Sequence, residues 1–291
     1  ILGYNILGFS KPDHRLSSFF NTEHIVGSFF VRLLPLLIGL YIINFEIKKK
    51  YLILLSIIII LISGIIYSSG ERTAFGLLII FLLLMSFVPY VGKIFRYIIF
   101  ITSALIILIS IFNPITKDRI FLQTYNEFGF DEFFQNKDKG IRAFTALHEK
   151  HFNISIEMFK DSPIIGQGTK TFRILCKSDQ FNKNDNLSGC SPHPHNVFLH
   201  LLSATGLIGF IFYFSIWLLS LYIFFKVILL NHFDKIKKYK SITDLKNVIG
   251  FLIVLSSVII NLFPFAPSNN FFNNFINIIY FLPIGFVLHL Y

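Results

Sequence analysis

Charge is scarce in this chain. Only 14% of its 291 residues are Asp, Glu, Lys or Arg, against roughly 25% in soluble domains. So few charges cannot cover the surface of a soluble globular domain, and a 54% hydrophobic content excludes a disordered one. Acid is the rarer sign, with 16 Asp and Glu against 26 Lys and Arg, for a net charge of +10. Cysteine occurs twice, which excludes a disulfide-dense scaffold. No glycine-rich phosphate loop is present, which argues against a nucleoside triphosphate substrate. An initiating Met and a signal peptide are also missing. The opening Ile1-Leu2-Gly3 reads as a chain cut at its N-terminus, with helices expected upstream.

What is abundant is apolar. Mean hydropathy is +0.67, and 37 residues are Phe. Seven apolar runs of about 17–25 residues are each long enough to cross a ~30 Å hydrocarbon core as a helix. They fall at about 25–44, 51–67, 74–91, 97–112, 206–230, 248–263 and 275–290, and an apolar helical segment at 196–205 precedes the fifth. The expected fold is all-α, a polytopic membrane bundle with one long, partly helical polar segment. The organisation is spans over 1–112, the polar segment over 113–194, and spans over 195–291.

In a soluble protein a charge of +10 would suggest nucleic acid. Here Lys and Arg cluster in short loops and act as topology determinants. Lys48, Lys49, Lys50, Lys93, Arg96, Lys235, Lys237, Lys238, Lys240 and Lys246 fall on one side, and only Arg72 lies in the short loops of the other. The first side is therefore expected in the cytoplasm and the polar segment outside. That segment holds 11 basic and 10 acidic residues. Within it, 141–159 reads as an amphipathic helix, with Phe144, Leu147, His151, Ile154 and Met158 recurring at helical spacing.

Both cysteines, Cys176 and Cys190, lie in this segment, 14 residues apart. On an oxidising side they suggest a disulfide; two free buried thiols are the alternative. The most informative stretch is Ser191-Pro-His193-Pro-His195-Asn196, followed after nine residues by Gly206-Leu-Ile-Gly209. Two prolines fix the backbone before a helix start, and a helix N-terminus disfavours imidazolium, so His195 suits a neutral base. Gly206 and Gly209 allow a helix break or a close approach. Arg72, in Ser69-Gly-Glu-Arg-Thr73, is either an interfacial anchor paired with Glu71 or an anion clamp. Arg32 sits about eight residues into the first span, ~12 Å deep. No Asp or Glu in any span pairs with it. A bound anion, a water-filled cavity or snorkelling would account for it. Arg142 opens the amphipathic helix, where the dipole gives a cation nothing. His148 and His151 lie one turn apart and a zinc site is conceivable, but no carboxylate or thiolate completes a ligand spacing. No metal is expected. Asn153-Ile-Ser155 and Asn186-Leu-Ser188 match glycosylation acceptors, a short and frequent pattern.

Along nearly its whole length the chain resembles the O-antigen ligase family of bacterial envelope glycosyltransferases, which also holds O-antigen polymerases and protein O-oligosaccharyltransferases. The resemblance rests on Arg15-Leu-Ser-Ser-Phe-Phe before the first span, Ser69-Gly-Glu-Arg-Thr, and Met158-Phe-Lys-Asp-Ser-Pro-Ile-Ile-Gly166-Gln-Gly168. It continues through the His195-Asn to Gly-x-x-Gly pattern and ends on Phe263-Pro-Phe-Ala-Pro-Ser-Asn-Asn-Phe-Phe-Asn-Asn. The resemblance implies a GT-C-like fold in a bacterial inner membrane and an active site facing the periplasm. It implies an undecaprenyl-diphosphate-linked glycan donor, inversion at the anomeric centre, and no cofactor. It places the family's essential His on His195 and its two essential Arg on Arg72 and Arg142. Arg32, Arg15, His151, Asn196, Gly206 and Gly209 are expected around the substrate. The expected activity is transfer to lipid A–core, with polymerisation of the glycan as the alternative. A transporter of an anionic lipid or solute and a structural envelope subunit are the competing classes. No inverted repeat favours the former.

Overall fold

The computed structural model describes residues 24–45, 48–128, 144–181, 189–233 and 242–290. Among these residues the fold is helical, without strands. The helices are α1 (Val26–Asn44), α2 (Lys49–Ser68), α3 (Arg72–Ser86), α4 (Gly92–Phe112), α5 (Pro114–Lys117), a π-helical turn (Asp118–Leu122) and α6 (Gln123–Glu127). They continue with α7 (Ala146–Asp161), α8 (Phe172–Leu175), α9 (Val197–Phe233), α10 (Ile242–Asn261) and α11 (Asn274–Leu290). Every one of the seven apolar runs is helical. Four helices, α1, α2, α4 and α9, are long and apolar enough to cross a membrane; α3 and the apolar parts of α10 and α11 are shorter. At 1.5 Å per residue the 15 residues of α3 rise only about 22 Å, because the chain turns at Pro89 before the run predicted to end at Val91.

The protein is a multi-pass, all-α membrane protein. Its apolar side chains are on the outside as well as the inside: Leu61, Phe100, Ile107 and Phe112 are all more than half exposed. On a soluble protein such stripes would be an aggregation hazard; in a bilayer they meet lipid.

The contacts divide the chain into two compact units. One comprises Ile1–Thr124, Tyr222–Asn261 and Leu282–Tyr291, the other Tyr125–Leu221 and Leu262–Phe281. In the first, α10 is the centre, buried without interruption from Phe251 to Asn261. It packs on α1 through facing glycines. A Cβ on Gly39 would stand 2.9 Å from the Gly250 carbonyl oxygen, and one on Gly250 would stand 3.1 Å from that of Gly39. Lipid provides no hydrophobic drive between helices, so close backbone approach supplies the van der Waals contact. Arg32 lies along the same seam. It is buried, and its Nη1 donates to the Asn261 carbonyl at the end of α10, 3.0 Å away. The carbonyl end of a helix is a partner for a cation that a count of acidic residues overlooks.

In the second unit, α7 lies against Phe172, Cys176 and Phe181 through Ile154 and Met158. Two corrections apply to the predicted helix 141–159. The described helix begins at Ala146, because the Thr145 hydroxyl accepts from the His148 amide and caps it. Its inner face is completed by Phe152 instead of Leu147, which is 54% exposed. Arg142 lies outside the described residues, as does Arg15.

The decisive join is between two backbones. After Asp161-Ser-Pro, residues 163–168 run beside residues 203–208 of α9. The Gln167 and Gly168 amides donate to Ser203 and Ala204 at 2.8 and 2.9 Å, and the Leu207 amide donates to Pro163 at 2.8 Å. Gly206 is non-helical there, with φ 62° and ψ −158°, and divides α9 into 197–205 and 207–233. A Cβ on Gly206 would overlap the Ile164 carbonyl, and one on Gly166 would overlap the Ala204–Thr205 peptide. Gly209 serves differently: its missing Cβ leaves room for the Thr205 side chain one turn earlier.

Gly206→Ala is expected to lower the thermal unfolding temperature of the detergent-purified protein strongly, since backbone overlap adds to a left-handed φ that alone costs about 1–3 kcal/mol. Gly76→Ala, a helical position with open space around it, is the control. It is expected to raise or hold the unfolding temperature, because Ala exceeds Gly by ~0.8–1.0 kcal/mol in a helix interior.

Candidate functional site

Asn196 builds the start of α9. Its Oδ1 accepts from the Leu199 amide at 3.0 Å, an N-cap, while its Nδ2 donates to the Pro264 carbonyl at 2.7 Å. One buried amide thus caps the helix and holds the loop that follows α10. An isolated bridge pairs Asn196 with Pro267, and the Ser268 amide donates to the His195 carbonyl at 2.8 Å. Between these anchors His195 adopts φ 58°, in the left-handed region that few non-glycine residues enter. Strain of this kind persists only where the surroundings over-determine it, and here hydrogen bonds do so on both sides.

The turn delivers His195 into a group of five histidines. Ring centroids lie 4.2 Å from His193, 5.3 Å from His151 and 5.7 Å from His148, and His200 is 6.5 Å from His193. His151 is buried and its Nδ1 lies 2.7 Å from the Gly189 carbonyl. A carbonyl only accepts, so Nδ1 carries a proton. His148 Nδ1 is 2.8 Å from the Thr145 hydroxyl that caps the same helix. His193 has both ring nitrogens buried outside hydrogen-bond geometry.

Burial disfavours the charged form of His193 and of His195. Burial pushes His195 down to about 3, assisted by the repulsion its proton would meet from His193, His151 and His148. Burial likewise lowers His193 to about 4, against an opposing pull from the Ser268 backbone and with a further push from His151. Among the described residues no carboxylate acts on either ring. Among the described residues no three His, Cys, Asp or Glu side chains converge as metal ligands.

The loop bearing Gly189 is fastened covalently. Cys176 and Cys190 form a disulfide with Cα atoms 5.1 Å apart. Cys176 is fully buried in the α7 cluster, with Cys190 packed against it. The Ser191 hydroxyl donates to the His193 carbonyl and continues the fastening toward His195.

His195, His151, Asn196, Gly206 and Gly209 therefore meet in one unit, while Arg72 and Arg32 belong to the other. In that unit the Ser69–Arg72 turn docks on the start of α1. The buried Glu71 carboxylate accepts from the Gly27 amide at 2.6 Å and from the Ser28 amide and hydroxyl at 3.0 and 2.6 Å. Glu71 thus neutralises a helix N-terminus. Arg119 Nε donates to the Gly70 carbonyl of the same turn at 3.0 Å. Sequence reasoning missed three of these residues. Glu71 was read only as a partner for Arg72. Arg119 carried no signal. The buried His200 carried one: a histidine in the first turn of an apolar helix, five residues after His195.

A strained turn that buries His195 among other histidines, in a chain with membrane-crossing helices, defines a multi-pass membrane protein with a histidine-lined candidate site. The family model described as O-Antigen ligase matches residues 57–214, more than half of the chain and a stretch containing Arg72, His195 and Gly209. The chain belongs to the O-antigen ligase family, and its function is of the O-antigen ligase or polymerase type. No curated protein and no solved structure matches it.

Two measurements test the site. Above pH 6.5 His193 and His195 are neutral both folded and unfolded. As pH falls from about 6.5 toward 4 and 3, the unfolded chain binds protons that the folded chain refuses. Thermal stability should therefore decline through that window, and less steeply in His195→Asn, where Asn tolerates the left-handed φ. An unfolding temperature in this variant that falls as steeply as in the wild type would contradict the buried, neutral assignment of His195. Cys190→Ser should cost about 3 kcal/mol for a loop of ~15 residues, read as a lower unfolding temperature that reducing agent no longer changes.

Proposed function

We propose that the protein is the ligase. It moves a glycan from undecaprenyl diphosphate to a lipid A–core hydroxyl, at the periplasmic face of the bacterial inner membrane. The observation that carries this reading is His195, buried and neutral at a helix start, within the span matched by the family model.

The acceptor oxygen attacks the anomeric carbon as the carbon–oxygen bond to the diphosphate breaks, inverting that centre. The electron pair leaves on the diphosphate, and the acceptor proton passes to His195. A base held at about 3 with the site empty is weak. The anionic donor changes that, because negative charge nearby favours imidazolium and raises the basicity of His195 as the substrate arrives. Arg72 and Arg142 hold the diphosphate and stabilise the charge that develops on departure. In this reading Arg32 and Arg15 also contribute to substrate binding. Asn196, Gly206 and Gly209 act by holding the His195 turn in place, and His151 sets the electrostatics beside it. No metal or cofactor enters this scheme.

His195→Asn, expressed in the host in place of the native gene, tests the reading. The expected result is a silver-stained lipopolysaccharide gel showing core without a ladder, long polymer stranded on the lipid carrier, and transfer reduced by 10²-fold or more. Core bearing one repeat unit would establish the polymerase instead. An unchanged gel and carrier pool would remove both.

A further inference from the structure

A polar basin of about 310 Å³ lies in the same unit as the histidines, lined by Lys170, Arg173, Asn270, Phe272, Asn273 and Asn274. Its size is at the small end of ligand sites, roughly 300–1,000 Å³. Its composition is unlike the rest of this apolar molecule: two cations, three amides and one aromatic ring.

Each part is held in place. Lys170 has φ 63°, at the end of a turn in which Gly166 and Gly168 are also left-handed. That turn is pinned to α9 by the Gln167 and Gly168 amides. Arg173 stands on α8, whose other residues include the buried Phe172 of the disulfide cluster. Neither the Lys170 nor the Arg173 side chain makes an ion pair or hydrogen bond among the described residues. Across the basin, Asn270 Oδ1 accepts from the Phe272 amide at 3.0 Å, which leaves the Asn270 Nδ2 donor for a ligand. Asn273 and Asn274 stand at the opening of α11, so the positive end of that helix adds to the two cations. Phe272 sets its ring 4.9 Å from that of His200, edge to face. His200 in turn neighbours His193, and His193 neighbours His195.

Cations without counter-charge favour an anion. Several amides around an aromatic face favour a ring that carries hydroxyl groups. We propose that this basin binds an acidic saccharide, with phosphate or carboxylate groups on Lys170 and Arg173, hydroxyls on the asparagines, and the sugar face against Phe272. The inference rests on the glycan-transfer reading and adds the class of sugar, in a basin that three ring contacts connect to His195. A phospholipid headgroup would also use the two cations, but it has no use for three amides and an aromatic wall.

The test is binding, measured without turnover. Full-length protein carrying His195→Asn is reconstituted in phosphatidylcholine nanodiscs. It is titrated into a fluorescently labelled oligosaccharide released from host lipopolysaccharide, and into the same probe after dephosphorylation and carboxyl reduction. Lys170→Asn, which keeps a residue tolerant of left-handed φ, and Arg173→Gln, at an exposed position, remove the charges with little risk to folding. The expected result is at least tenfold weaker binding of the native probe by the double variant. The neutralised probe should bind the unsubstituted basin at least tenfold more weakly than the native one. Equal binding by the double variant, or no binding of the native probe at all, would overturn the proposal. So would a dependence on Lys170 and Arg173 seen only for phosphatidylglycerol added to the discs. Failure of the transfer reading is scored separately on the lipopolysaccharide gel, so the two results do not stand in for each other.

Discussion

Two stretches of backbone touch in this protein with no side chain between them, and the unit that carries the histidines is arranged around that contact. Residues 163–168 lie along residues 203–208, and each glycine of the pair, Gly166 and Gly206, leaves space that the other backbone occupies. If Gly206 stayed helical, α9 would run straight and its carbonyls at Ser203 and Ala204 would be sealed within the helix. The break frees them to receive Gln167 and Gly168. It also makes 197–205 a short helix of its own, whose beginning has to be capped, and the residue that caps it is the neighbour of His195. On the other side of the contact the Asp161-Ser-Pro turn is held by Gln167, whose Nε2 donates to Asp161 at 2.7 Å and to the Met158 carbonyl at 3.1 Å. Helix α7 with its histidines and the start of α9 with His195 are thereby fixed to one another through main-chain atoms.

The placement of acid and base follows a division of labour. A carboxylate beside His195 would stabilise imidazolium and hold the site in its protonated form. Among the described residues, carboxylates serve elsewhere: Glu71 at the N-terminus of α1, Asp161 between Gln167 and Gln180, Glu157 on Lys160. The histidines are left with one another. Burial lowers the affinity of His195 for a proton, and His193, His151 and His148 lower it further. His193 and His195 resist protonation when the site is empty, and they respond strongly when an anion enters, because in a site of low effective dielectric a new charge is felt with little screening.

How far a sequence shows this depends on the range of the interactions. The membrane bundle follows from composition and run length, and all seven apolar runs are helices, because an isolated stretch of that hydropathy has few alternatives in lipid. Local punctuation was readable too: Pro192 and Pro194 before a helix start, and a glycine at 206. Partners distant in the chain were not. Nothing marks Gly166 as the counterpart of Gly206, 40 residues on. Nothing marks the Asn261 carbonyl, 229 residues away, as the answer to the cost of burying Arg32. Helical periodicity placed Leu147 inside and left out Phe152, since a pattern of apolar positions defines a face only to within one neighbour on the wheel. Thr145 moved the start of α7 because a capping hydroxyl outweighs the apolar pattern upstream of it.

The disulfide gains its meaning from what stands beside it. Cys190 follows Gly189, whose carbonyl receives the proton of His151 Nδ1. In the neutral ring that hydrogen bond selects the tautomer in which Nε2 is the acceptor, and this ring is among the groups acting on His195. Loosening the loop would free the carbonyl, allow the other tautomer, and turn an acceptor beside His195 into a donor. A covalent bond some residues removed from the reacting atoms thus bears on the proton inventory of the site. The mechanism is positional, not redox: the bridge acts by keeping one carbonyl oxygen within 2.7 Å of one nitrogen. The left-handed turn at His195 requires such support, because a strained residue relaxes wherever its surroundings yield. Here they are held by main-chain hydrogen bonds at Ser268, by the Asn196 cap, and by the loop that the disulfide fastens.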